Sequence, residues 1–130
     1  MGVVTTGFRQ AALTRKIIGS AIEVHRALGP GLLESTYRTC LARELQLSGL
    51  GFEQEVIVGV TYKGVQLDCG YRADLIVEKA VLLELKAVER LMRVHEAQLL
   101  TYMRLCKLHV GLLLNFNEPV LKDGVRRFAL

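Results

Sequence analysis

No apolar run in this sequence approaches the roughly 18 residues that a membrane span needs, and the N-terminus has no signal-peptide core. The expected location is therefore the cytoplasm, with no membrane partner. Cysteine is scarce: Cys40, Cys69 and Cys106 are odd in number, widely spaced and set among apolar residues. That pattern suits reduced core thiols better than a disulfide framework or a zinc knuckle. No run of Lys or Arg marks a nucleic-acid arm, although the net charge of +4 permits a polyanionic partner. A G-x-G-x-x-G turn and a P-loop are both missing, so nucleotide-binding folds lack their phosphate cradle. Low-complexity tracts and internal repeats are absent too.

What is present is enough for one compact domain over residues 1–130, with 51% hydrophobic residues and only two prolines. Residues 1–8 read as a flexible lead-in. From about Arg9 to Leu28, apolar residues at Leu13, Ile17, Ala21, Val24 and Leu28 keep helical spacing, and Gly29-Pro30-Gly31 stops the helix. His25 lies beside that stripe, either as a packed partner of the helix C-terminus or as a ligand. A second helix is predicted from about Leu32 to Leu47, with Leu33, Tyr37, Cys40, Leu41 and Leu45 on its core face. Glu34 falls in the same sector, where it either complements the helix dipole or faces a site.

From Phe52 the pattern turns to strands, with Lys63-Gly64 as a tight turn. A third helix is predicted over about Glu89 to Lys107. Its wheel sets Leu91, Val94, His95, Gln98, Thr101, Tyr102 and Leu105 toward the sheet, and Met92, Leu99, Leu100 and Met103 on a second apolar stripe. That spare stripe suggests cover by the first helix or by a second copy of the chain, and a homodimer is the favoured expectation. A buried strand from about His109 to Phe116 and a hairpin turning at Lys122-Asp123-Gly124 close the chain. The order of elements predicts an α/β architecture, a central mixed β-sheet of four to six strands flanked by helices.

The centre of interest is Gly70 to Lys86. Two apolar runs, Leu75-Ile76-Val77 and Val81-Leu82-Leu83, read as neighbouring buried strands, yet Asp74, Glu84 and Lys86 interrupt them. Strand parity puts Glu84 and Lys86 on one face. If Glu78 to Ala80 is a three-residue loop, Val77 pairs with Val81 and Asp74 lies opposite Glu84. Two carboxylates so placed repel unless a positive charge sits between them. A solvated charged face with Lys86 as the neutraliser is one reading; a divalent cation in a half-buried site is the other.

The set Asp74…Glu84-Leu85-Lys86 resembles the PD-(D/E)xK nuclease superfamily, with Ala73 in place of the proline of its name. Within that superfamily the chain looks like the small GxxExxY family, through Gly31-Leu32-Leu33-Glu34-Ser35-Thr36-Tyr37. The pair Gln98-x-x-x-Tyr102 is similar to that of RecB-type nucleases. The resemblance implies a restriction-endonuclease-like core and a metal-dependent nuclease acting on DNA or RNA. It implies that Asp74, Glu84, the Leu85 carbonyl and Glu34 hold Mg²⁺ or Mn²⁺, with His25 as a further ligand. Lys86 would polarise the attacking water, and Gln98 and Tyr102 would orient substrate or lysine. The rival reading is a catalytically silent nuclease fold that binds nucleic acid or a protein partner; a third is a protein that merely stores an ion.

Overall fold

The computed structural model describes residues 2–130, with side chains from Gln10 onward. Helix α1 spans Gly2–Leu28 and α2 spans Glu34–Leu47. Strands β1 (Phe52–Ile57), β2 (Val60–Tyr62), β3 (Val65–Leu67), β4 (Arg72–Val77) and β5 (Val81–Lys86) follow, then α3 (Arg93–Leu105), β6 (Val110–Asn115) and β7 (Val125–Ala129). Five strands form one mixed sheet in the order β1-β4-β5-β6-β7, and β2 and β3 make a separate exposed hairpin. This is the α/β architecture the sequence predicts, a central mixed sheet flanked by helices in the manner of a restriction-endonuclease-like core.

Strand parity decides what each sheet face buries. Leu75, Val77, Val81, Leu83, Leu85, Leu112 and Leu114 turn toward α1 and α2, where Ile17, Ala21, Val24, Tyr37, Leu41 and Leu45 meet them. Ile76, Leu82 and Leu113 turn the other way, against Leu99, Tyr102 and Met103 of α3. β5 and β6 are consequently apolar on both faces, and they pair in parallel along their whole length, from Val81↔Val110 to Lys86↔Asn115. The β4–β5 turn is the three-residue loop expected: Glu78 and Lys79 adopt φ of 52° and 53°, and Val77 pairs with Val81.

Several expectations need correction. α1 is already helical at Gly2, ahead of the expected start at Arg9; Met1 and the side chains up to Arg9 lie outside the described residues. α2 begins at Glu34 instead of Leu32, because Gly31 holds φ of +100° and Leu33, 74% exposed, is the extended N-cap. α3 starts at Arg93, after a non-helical segment whose backbone is tied elsewhere. Glu34 takes the Ala87 N–H at 3.3 Å, and the Asn115 amide brackets Val88, accepting from its N–H at 3.1 Å and donating to its carbonyl at 2.9 Å.

The sheet-facing side of α3 is also rotated from the wheel's assignment. Leu99 and Met103, expected on the spare stripe, are fully buried on the sheet, while Val94 and Leu105 are exposed. Gly111 is the reason: a β-carbon there would meet Met103 Sδ at 2.6 Å and Leu99 Cδ1 at 3.1 Å, so the bare backbone lets this edge of α3 settle onto β6. The sheet therefore covers Leu99 and Met103 of the stripe that had suggested a second copy, while Leu100 is half-buried and Met92 stays 58% exposed. The cysteines are free thiols as expected, but Cys69 is exposed and Cys40 and Cys106 are only half-buried, so none is a core thiol.

Gly111→Val should lower stability by about 1–3 kcal/mol, the scale of an overpacked core. The change should register as a reduced urea midpoint with an unchanged slope; an unchanged midpoint would contradict the close approach of α3.

Candidate active site

The β4–β5 ladder pairs Val77 with Val81, Ile76 with Leu82 and Leu75 with Leu83, and there it ends. Continuing that register places Asp74 opposite Glu84, and at this step side chains replace the backbone ladder. Glu84 Oε2 accepts the Asp74 N–H at 2.9 Å, and Asp74 Oδ2 accepts the Leu85 N–H at 2.8 Å. On its other side Asp74 also meets a gap, since β1 pairs Gln54 with Leu75 and Val56 with Ala73 but skips Glu55, whose φ is 49°. Asp74 thus sits where both neighbouring ladders open. The two acids stay close because each carboxylate has taken over a backbone donor that the opened ladder would leave unpaired.

Side chains from all sides converge on this fork. Lys86, two residues beyond Glu84 and on its face, donates from Nζ to Gln98 Oε1 at 3.1 Å, and Gln98 Nε2 donates to the Tyr102 hydroxyl at 3.3 Å. The i, i+4 pair on α3 therefore forms one chain of hydrogen bonds ending on the lysine. From α2, Arg38 approaches Asp74 Oδ1 at 3.6 Å and Glu55 at 3.4 Å. Glu34 stands at the α2 N-terminus, near enough to both acids to raise their proton affinity. Tyr37 fixes that approach: it stacks on Phe116 at 4.6 Å, donates to the Gly29 carbonyl at 2.5 Å and accepts the Leu32 N–H at 3.1 Å. The glycine turn that delivers Glu34 is thereby pinned to the end of β6.

His25 is not brought into this group. Its Nε2 lies 2.7 Å from the Glu118 carbonyl, and the ring packs 6.4 Å from Phe116, the packed-partner alternative of the two. Among the described residues, no group of three or more His, Cys, Asp or Glu side chains gathers as an ion-binding cluster. A ligand set of Asp74, Glu84, Glu34 and His25 is therefore wider than the side chains that meet. Sequence reasoning missed Arg38 and Asn115. Arg38 had a signal, standing one helical turn after Glu34 on the same face; Asn115 had none before the pairing of β6 with β5 set it beside Lys86.

Burial pushes the carboxyl of Asp74 up, against the opposing pull of the Leu85 N–H, Arg38 and Lys86. Glu84 is pushed up to about 8, first by burial and then by the charge of Asp74. Lys86 alone does not offset two acids held this close. Hard carboxylate oxygens on adjacent strands suit Mg²⁺ or Mn²⁺, and Mg²⁺ in particular is commonly held by one or two carboxylates while it keeps several waters. Glu84 Oε1 is free of backbone donors and Asp74 Oδ1 meets only Arg38, so the donor set fits such an ion.

A family model for the PD-(D/E)XK nuclease superfamily matches residues 11–128. The chain belongs to that superfamily. No curated protein and no solved structure matches it. As a PD-(D/E)XK chain it has Asp74 and Glu84-Leu85-Lys86 as the residues that fit the letters of the name. Ala73, standing at the proline's place, pairs with Val56 of β1 and is fully buried. Nucleases of this superfamily usually use divalent metals.

The raised carboxyls carry a linkage consequence. A group whose folded-state value lies near 8 instead of the ordinary 4.5 holds a proton that the unfolded chain releases in that interval. Its stabilising contribution is complete below about pH 4.5 and is lost as pH rises through about 8. In EDTA, stability should fall between pH 5 and 8 by an amount on the order of a few kcal/mol. Glu84→Gln, which keeps an oxygen for the Asp74 N–H, should remove most of the slope in urea titrations. A wild-type stability that is level or rises over that range would contradict the buried acid pair.

Proposed function

We propose that this chain is a divalent-metal-dependent nuclease that hydrolyses phosphodiester bonds in DNA or RNA, of the GxxExxY branch. The observation that carries the reading is the opened ladder, with two carboxylates facing each other and a lysine on the same strand face held by Gln98 and Tyr102. Asp74 and Glu84 would hold Mg²⁺ or Mn²⁺, with the Leu85 carbonyl and Glu34 as further oxygen donors. Bound there, the metal supplies Lewis acidity toward a phosphoryl oxygen and lowers the pKa of water.

The chain's own residues do the rest. Lys86 stands two residues from Glu84 on the same strand face, its ammonium group held by Gln98, where it would meet the attacking water and the negative charge that grows on the phosphoryl oxygens. Gln98 keeps that ammonium group from folding onto Glu84 and Asp74, and Tyr102 keeps Gln98 in place. Arg38, shared between Asp74 and Glu55, holds the open edge of the fork and is placed to meet a phosphate. All these groups come from one chain, so the chemistry needs no second copy. His25 belongs with the packing of α1 on the β6 end.

With Mn²⁺, wild-type protein should cleave nucleic acid and should fall silent in EDTA. Asp74→Ala should lose metal binding, seen by calorimetry, together with cleavage. Lys86→Ala should keep the metal and the substrate but lose turnover by about 10²–10³, the scale of removing one preorganised charge-stabilising group. Wild-type protein that binds Mn²⁺ and nucleic acid yet leaves single-stranded, double-stranded and branched DNA and RNA intact would establish the silent-fold alternative instead.

A further inference from the structure

A groove of about 460 Å³ runs between α3 and the strand end at Tyr71, lined by Val60, Tyr71, Val94, Thr101, Tyr102 and Leu105 among others. Its position is not incidental to the fork, because Gln98 and Tyr102 belong to both: they line the groove and they hold Lys86. Its chemistry differs from that of the fork. The walls are aliphatic and aromatic, with Val94 and Leu105 exposed and no charged side chain in the lining. Tyr71 lines the groove, is 48% exposed and stands 5.9 Å from the Tyr102 ring at a tilt of 56°.

The Tyr71 backbone is also firmly set. Its carbonyl accepts the Val58 N–H at 3.0 Å and an Arg72 N–H at 2.9 Å, and Arg72 is in turn held by Asp68 at 3.1 Å. A half-exposed aromatic ring on a held backbone, in an apolar groove beside the fork proposed to take a phosphate, is an arrangement that can stack a base while the base's own backbone passes the charged groups. Bases within a duplex are paired and stacked inward and cannot enter such a groove without unstacking.

We infer that the Tyr71–Tyr102 groove receives an unpaired base next to the scissile phosphate, so that the substrate is single-stranded nucleic acid or a single-stranded segment of a larger one. The inference rests on the nuclease reading for the phosphate's position, but base binding can be measured without cleavage. The net charge of +4 favours the same partner over an apolar peptide.

The test is equilibrium binding of fluorescently labelled DNA and RNA oligonucleotides, single-stranded and duplex, to the full chain in EDTA, where nothing is cut. Wild-type protein should prefer single strands. Tyr71→Ala should weaken single-strand binding by about 5- to 150-fold, the range for loss of one stacked base, and leave duplex binding unchanged; Tyr71→Phe should restore it. An abasic site moved along the strand should find one position whose loss costs the wild type that factor and costs Tyr71→Ala nothing. Equal affinity for single strands and duplex, an unchanged Tyr71→Ala variant, or a loss shared equally by both substrates would overturn the inference. Each of these results would leave Mn²⁺-dependent cleavage, measured separately, to stand or fall by itself; a groove that stacks bases in a protein that never cleaves would uphold this inference and remove the nuclease.

Discussion

Everything at the fork depends on one unfavourable contact, the buried carboxylate of Glu84 set opposite the half-buried carboxylate of Asp74 at the end of the β4–β5 ladder. A regular ladder would carry backbone hydrogen bonds through that step and press Asp74 and Glu84 together with nothing between them. Here the ladder stops at Leu75↔Leu83, and the Asp74 and Leu85 N–H groups are taken by the carboxylates themselves. Each acid is thus anchored by the other's strand through one oxygen, and the second oxygen of Asp74 meets Arg38 at 3.6 Å. Burial, first of all, makes both carboxyls hold their protons more tightly than ordinary acids do, and for Glu84 the charge of Asp74 adds to it. A structure keeps such a contact only when the surroundings overdetermine it.

Those surroundings are unusually complete around β5. The strand is paired with β6 along its full length, buried on both faces, and clamped beyond its end by the Phe116 N–H to the Lys86 carbonyl at 2.8 Å. Glu84 and Lys86 therefore stand on the most constrained strand of the sheet, which limits how far charge can push them. The other partners come from the two helical layers. α2 brings Glu34 and Arg38 by way of the glycine turn that Tyr37 pins to Phe116, and α3 brings Gln98 because Gly111 admits its Leu99 and Met103 edge. Remote apolar contacts so fix the distance between charged groups.

Much of this was legible in the sequence because period-2 and period-3.6 patterns are strong where an element has a clear buried face. The three-residue loop at Glu78 to Ala80, the opposition of Asp74 and Glu84, and the Gln98–Tyr102 pair all followed from spacing alone. The match over residues 11–128 bears out the superfamily. α3 was misread for a physical reason: both of its stripes are amphipathic, and the choice between them lies in a glycine of another strand. The start of α3 was hidden too, since Glu34 and Asn115, distant in sequence, are what hold Ala87 and Val88 out of the helix. His25 was indistinguishable from a ligand until Glu118 was seen to face it.

The charge count around the fork supports the proposed metal from a direction independent of motif. With every acid ionised, Glu34, Asp74, Glu84 and, at the exposed edge, Glu55 are met among the described residues by Arg38 and Lys86, so four carboxylates stand against two cations and leave an excess of two negative charges. A protein can remove such an excess by protonation or by binding a cation, and the raised carboxyls are the first route, open when no ion is supplied. One divalent ion matches the excess and would return the acids to their ionised forms. An approaching phosphate diester would then meet a neutral group of charges instead of a repelling one, with Lys86 already turned toward it. The same arithmetic explains why Lys86 is held by a neutral amide: a carboxylate at Gln98's position would add a third negative charge of excess and draw the ammonium group away from the fork, whereas the amide oxygen orients it without neutralising it.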